Sequence, residues 1–142
     1  MSREENLGIA RQLLASWAEG KEPGVIAALF TEDVVFEIPG DARALPWIGR
    51  KTGREAVADF IRGLRAMTER VKFDVQDVLA SDTRAAIIGE LATRIKATGK
   101  VVESPFVIIL TISGGEIVHF QMLENSFAVS RAANPISSTP QV

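Results

Sequence analysis

The stretch Phe30-Thr31-Glu32-Asp33-Val34-Val35-Phe36-Glu37-Ile38-Pro39-Gly40 decides how the rest of the chain is read. Residues 34–38 are β-branched or aromatic around one acid, the composition of a half-buried strand, and Pro39-Gly40 closes it with a turn. What precedes this strand is helical. Leu7, Ala10, Leu14, Trp17 and Ala18 recur on one helix face, giving about four turns that end near Gly20. Pro23 suits a first helical turn, and Val25, Ile26, Leu29 and Phe30 make a short second helix that stops before Thr31.

After the strand comes a loop through Trp47, then Thr52-Gly53-Arg54-Glu55 with the spacing of a capping box. Val57, Phe60, Ile61 and Leu64 supply the apolar stripe of the helix it starts, which ends near Thr68. Residues 73–80, 85–95, 101–112 and 116–125 are apolar-rich segments, separated by Ser81-Asp82-Thr83, Thr98-Gly99-Lys100 and Ser113-Gly114-Gly115. Such turns favour consecutive antiparallel pairing. Helices first and long strands after predict an α+β fold: a cone-shaped, curved, mixed but mainly antiparallel sheet wrapped by the N-terminal helices. Residues 1–133 read as a single domain and 134–142 as a frayed tail.

With 142 residues, 46% apolar and 24% charged, and a net charge of -2, the composition is that of an ordered globular domain. Charges alternate in sign, as in Arg62, Arg65, Glu69, Arg70, Lys72 and Asp74, the pattern of a solvated face. No basic stripe offers itself to a phosphate backbone, so nucleic acid is not an expected partner. No segment approaches the roughly 20 apolar residues of a membrane helix, and residues 1–8 lack the apolar run of a signal peptide. With no cysteine there is no need for an oxidising compartment, and a soluble, cytoplasmic protein is expected. One histidine and no cysteine leave no zinc site of the usual type. Neither a nucleophile elbow nor a glycine-rich phosphate or dinucleotide motif is present. Neither a metal nor a cofactor is therefore expected.

The order of elements, the 30–40 string, Leu45-Pro46-Trp47-Ile48-Gly49-Arg50 and Gly53-Arg54-Glu55-Ala56-Val57 together resemble the nuclear transport factor 2-like superfamily, and within it the SnoaL-like and ketosteroid-isomerase-like proteins. The resemblance covers nearly the whole chain. It implies an apolar pocket for a small hydrophobic molecule and a homodimer formed through the outer sheet face. It does not imply one reaction, because this superfamily hosts isomerases, cyclases, hydrolases, dehydratases and non-catalytic modules. The steroid-isomerase set is missing: Ile38 stands where the resemblance places the base, Val107 to Leu110 where a second aspartate belongs, and there is no tyrosine. The limonene epoxide hydrolase set is missing as well, with Glu90, Ala92 and Met122 at the corresponding positions. The acidic base that SnoaL-like cyclases carry on an inner strand is the role for which candidates remain.

Strand parity selects them. Val118, Phe120, Met122 and Glu124 share one face of the last strand, opposite Ile117, His119, Gln121 and Leu123. Ala86, Ile88, Glu90, Ala92 and Arg94 share a face of an earlier strand, which the resemblance turns inward. Glu124 and Glu90 are thus the candidate catalytic acids, since a carboxyl in an apolar cavity is driven toward a neutral-range pKa that suits proton transfer. The alternative is that Glu90 pairs with a cation at the rim and Glu124 reaches water. Trp47, Phe36, Ile38, Phe60, Ile88, Phe106, Phe120 and Met122 are the candidate ligand contacts, Trp47 as either a lid or a loop anchor. Parity turns His119 and Glu37 to the outer face, and Asp41, flanking the first turn, is within reach of the pocket entrance. Two readings follow: a cofactor-free isomerase, cyclase or dehydratase using carboxylate acid-base chemistry, or a non-catalytic ligand-binding or dimerisation domain.

Overall fold

The computed structural model describes residues 2–135; most of the tail expected at 134–142 lies outside them. Its elements are α1 (Arg3–Ala18), α2 (Pro23–Ala27), β1 (Phe30–Ile38), β2 (Gly49–Thr52), α3 (Arg54–Met67), β3 (Thr68–Ala80), β4 (Arg84–Ile95), β5 (Val101–Ser113), β6 (Glu116–Glu124) and α4 (Ser126–Ala133). The strands form one curled sheet in the order β2-β1-β6-β5-β4-β3. β1 runs parallel to β6, and every other pair is antiparallel. This is the α+β architecture expected from the sequence.

Local chemistry sets the helix starts. Ser2 caps α1: its hydroxyl accepts from the Glu5 N–H at 3.1 Å, and the Glu5 carboxylate accepts from the Ser2 N–H at 3.3 Å. This is a capping box. The one expected at Thr52 does not form, because Thr52 ends β2 opposite Val35. α3 instead starts after Gly53, whose φ of 104° is a conformation that favours glycine. Its N–H donates to the Val34 carbonyl at 2.8 Å, tying the helix start to β1.

Two features of the sheet set which side chains face inward. In β4 the buried, concave residues are Ala85, Ile87, Leu91 and Ile95. Ile88 and Glu90 lie on the opposite, outer face, which corrects the expectation that they point inward. Gly89 takes the inward position of that row, so the inward face offers no side chain there, and an assignment started from Glu90 is one residue out of phase. A Cβ at Gly89 would collide with the Asp74 carbonyl oxygen.

In β6 the register slips between Thr111↔His119 and Ile112↔Ile117, leaving Val118 as an extra residue. Beyond this bulge Ile117 turns into the core and is fully buried, instead of sharing the outer face with Leu123. The core is centred on aromatic rings: Phe36 stacks on Phe120 at 4.9 Å and meets Phe60 at 5.0 Å, and Trp17 and Trp47 close on Phe60 from two sides.

Candidate functional site

The concave side of the sheet and the helices packed on it enclose a cavity of about 400 Å³. Leu13, Leu14 and Trp17 of α1 form one wall, Phe60, Ile61 and Leu64 of α3 a second. Phe36, Phe120 and Met122 form the floor with Ile87, Leu91 and Ile108. Such a volume lies in the range of small-molecule pockets, and its lining is mainly apolar.

Trp47 is part of this lining and is only 7% exposed. Its ring lies against Gly63 so closely that a Cβ there would come within 2.9 Å of two ring carbons. The ring is therefore a fixed part of the wall, seated on a helix position that has no side chain. Leu45, from the same loop, lines the cavity beside it.

Glu124, the last residue of β6, is the one acid in the lining among the described residues. The backbone just after it is pinned. The Asn125 N–H donates to the buried Ser104 hydroxyl at 2.8 Å, and the Asn125 side-chain oxygen accepts from the Ala128 N–H at 3.0 Å, capping α4. Among the described residues the Glu124 carboxyl has neither a hydrogen bond nor an ion pair. Burial without compensation disfavours the charged form and raises its pKa from 4.5 to about 7. A group so poised holds a proton below that value and accepts one above it, which is what a proton-transfer residue needs.

The remaining candidates separate cleanly. Phe36, Phe60, Phe120 and Met122 line the cavity with Trp47. Ile38 is buried but outside the lining, since it ends β1 beside Gly49. Phe106 is buried behind the wall, stacked at 4.9 Å on Phe73, which does face the cavity. Ile88 and Glu90 are away from it. The Glu90 side chain is half exposed, accepts from Gln76 at 3.2 Å and meets Lys72 at 3.9 Å. His119 lies on the outer face, 3.3 Å from Glu37, which also accepts from Gln121 and faces Arg50. Asp41 holds its own turn: hydrogen bonds from the Arg43 backbone and side chain keep its carboxyl below the usual range.

Sequence reasoning missed the polar part of the lining. Arg65, Thr68, Arg70, Lys72 and Thr93 all border the cavity. The alternation of charges from Arg62 to Asp74 read as a solvated face, but the chain turns from α3 directly into β3 within that stretch. Thr68 marks the turn, its hydroxyl donating to the Leu64 carbonyl at 2.6 Å. Among the described residues no group of three or more His, Cys, Asp or Glu converges to hold a metal ion. No described helix is long and apolar enough to cross a membrane.

With this geometry in place, the chain matches the family model of the SnoaL-like domain over residues 10–120. It belongs to the SnoaL-like family. Among solved structures, this SnoaL-like domain is similar to an NTF2-like protein from Burkholderia xenovorans LB400, with 25% identity and a TM-score of 0.84 over 94% of this chain and 99% of that one. A protein with a ketosteroid isomerase-like fold from Catenulispora acidiphila, solved with trimethylamine, has 22% identity and a TM-score of 0.70 over 93% and 97% of the two chains. A candidate polyketide cyclase from Xanthomonas campestris has 17% identity and a TM-score of 0.75 over 94% and 100%. At those identities the last two likenesses speak for the fold. No curated protein sequence matches the chain.

Proposed function

We propose that this SnoaL-like domain binds a small, largely apolar molecule in its cavity and moves a proton on it with Glu124, as an isomerase or a cyclase would. The observation that carries this reading is an unpartnered carboxyl in an apolar wall, with its pKa raised to about 7. Ionised, Glu124 takes a proton from a carbon beside a carbonyl, and the C–H electron pair becomes the double bond of an enolate. The carboxylic acid so formed returns the proton to another carbon as the carbonyl is restored. The sequence is balanced and consumes no co-reactant. A candidate polyketide cyclase shares this fold, so the scaffold is one on which such chemistry can be built.

The test starts from native mass spectrometry of the co-purified protein, which identifies a bound molecule and so a substrate class. With a substrate in hand, Glu124→Gln is expected to lower kcat by about a hundredfold or more, the contribution typical of a positioned acid-base group. Turnover by Glu124→Gln equal to the wild type would end the proposal and leave a binding domain.

A second reading concerns assembly. Ile88, Val107 and Ile109 are only half-buried on the outer sheet face, and Leu123 beside them is 42% exposed. We propose that a second copy of this chain covers them, as an apolar patch on one sheet face invites. A molecule that sediments as a monomer at high concentration would remove this reading.

A further inference from the structure

Charge in the cavity lining is strongly one-sided. Arg65 stands in the last turn of α3, while Arg70 and Lys72 are near the start of β3, and all three border the cavity. Among the described residues the only acid in the lining is Glu124. On the sheet Glu124 pairs with Phe106 and so with Gly89 in the next strand, whereas Arg70 pairs with Thr93. From Gly89 to Thr93 along β4 is about 13 Å at 3.3 Å per residue, and β6 and β3 are separated by two further strands. Glu124 therefore does not neutralise these cations.

Nor does anything else for two of them. Arg43, Arg50, Arg54, Arg62 and Arg94 each lie within 4.0 Å of a carboxylate. Lys72 meets Glu90 at 3.9 Å. Among the described residues Arg65 and Arg70 have no such partner, although Glu69 is adjacent in sequence, because the Glu69 carboxylate pairs with Arg94. The Arg70 guanidinium lies over the Phe73 ring, 5.1 Å from its centroid, beside the cavity. Partial burial, followed by repulsion from Arg65, lowers its pKa. Like charges held together at a cavity mouth, with no internal counter-charge, are relieved by an anion.

We infer that the ligand of this cavity is an amphipathic anion, whose carboxylate or phosphate head is held by Arg65 and Arg70 while its apolar body extends among the aromatic rings toward Glu124. This rests on the proposed ligand-binding role of the cavity and narrows it to a substrate class. Arginine suits such a head, because its planar fork can donate two parallel hydrogen bonds to one oxyanion. The same pair disfavours a cationic guest. The head remains at the water-exposed rim, so its charge is not fully desolvated, and the apolar body displaces water from the interior.

The experiment compares decanoate with decanol, which share a chain and differ in head charge, by isothermal titration calorimetry on the full chain. Wild type is expected to bind decanoate about tenfold or more tightly than decanol, in line with one charge-assisted hydrogen bond or more. In the Arg65→Gln/Arg70→Gln double variant the two affinities should converge to within about twofold, with that for decanol unchanged. Arg70→Lys should recover part of the preference. Equal affinity for the two probes in wild type, or a preference that persists in the double variant, would overturn the anionic assignment while leaving an apolar-ligand cavity intact. Binding of neither probe would remove both readings.

Discussion

Replacing Glu124 by glutamine gives an isosteric side chain that cannot ionise, and the structure sets what this should do to stability. In an unfolded chain the carboxyl titrates near its ordinary value of 4.5; in the folded cavity it titrates near 7. Below about pH 4.5 the group is neutral in both states and contributes no difference. As pH rises between the two values the unfolded chain releases this proton and the folded one keeps it, so rising pH favours unfolding. Above about 7 both states are ionised and the penalty is complete. The gap between 4.5 and about 7, at 1.36 kcal/mol per pH unit, corresponds to about 3 kcal/mol. That is a large share of the 5–15 kcal/mol typical of a domain. Urea unfolding of wild type and Glu124→Gln at about pH 4 and about pH 8 reads it directly, since every other titrating group cancels in the difference. Wild type should lose about 3 kcal/mol more than the variant across that range. Parallel pH profiles would mean that the carboxyl is hydrated in the folded state, and the case for proton transfer at neutral pH would lose its physical basis.

Other substitutions test the walls. Gly89→Ala drives a methyl into the Asp74 carbonyl oxygen of the adjacent strand, so backbone must move. A loss of about 2 kcal/mol or more in the urea midpoint analysis is expected, and a neutral effect would refute the close approach of β3 and β4 at this row. Gly63→Ala brings a methyl within 2.9 Å of the Trp47 ring and should displace it, seen as a shift in tryptophan emission and a changed affinity for decanol; an unaltered spectrum would show that Trp47 is not seated there. Glu90→Gln, on the exposed outer face, should change stability by less than about 0.5 kcal/mol and leave decanol affinity as it is.

The elements that the sequence displayed were those whose apolar pattern is long enough to be counted. α1, α3 and the β3 to β6 meander belong here, because each buries one face against the same core. β2 carries Gly49-Arg50-Lys51-Thr52 and no apolar alternation; it is a strand only because β1 offers it backbone partners. α4 was overlooked because its start is a cap, Asn125 to Ala128, and not an apolar run. The inward assignment of Phe120, Met122 and Glu124 agreed with the structure since all lie on one side of the bulge at Val118, whereas Ile117, beyond it, switched faces. The cavity's cations were hidden for another reason. In one dimension Arg65, Glu69, Arg70 and Lys72 are a mixed surface, and only the turn from α3 into β3 sends Arg65 and Arg70 to the cavity while Glu69 goes to Arg94.

The single parallel pairing of β1 with β6, where Phe36 lies beside Phe120, also orders how the molecule assembles. β3 to β6 are joined by short turns and can zip as successive hairpins, whereas β1, with β2 on one edge, must wait for the partner of its other edge about 80 residues downstream, the kind of non-local contact that slows folding. During synthesis β1 leaves the ribosome well before β6, so the faces of Phe30 and Phe36 that meet Phe120 stay uncovered until β6 has emerged. Pulse-labelled hydrogen exchange would register this as protection of β4 and β5 amides ahead of those in 34–38. The strand that carries Phe36 to the cavity floor is thus among the first parts to be made and the last to be paired on both edges.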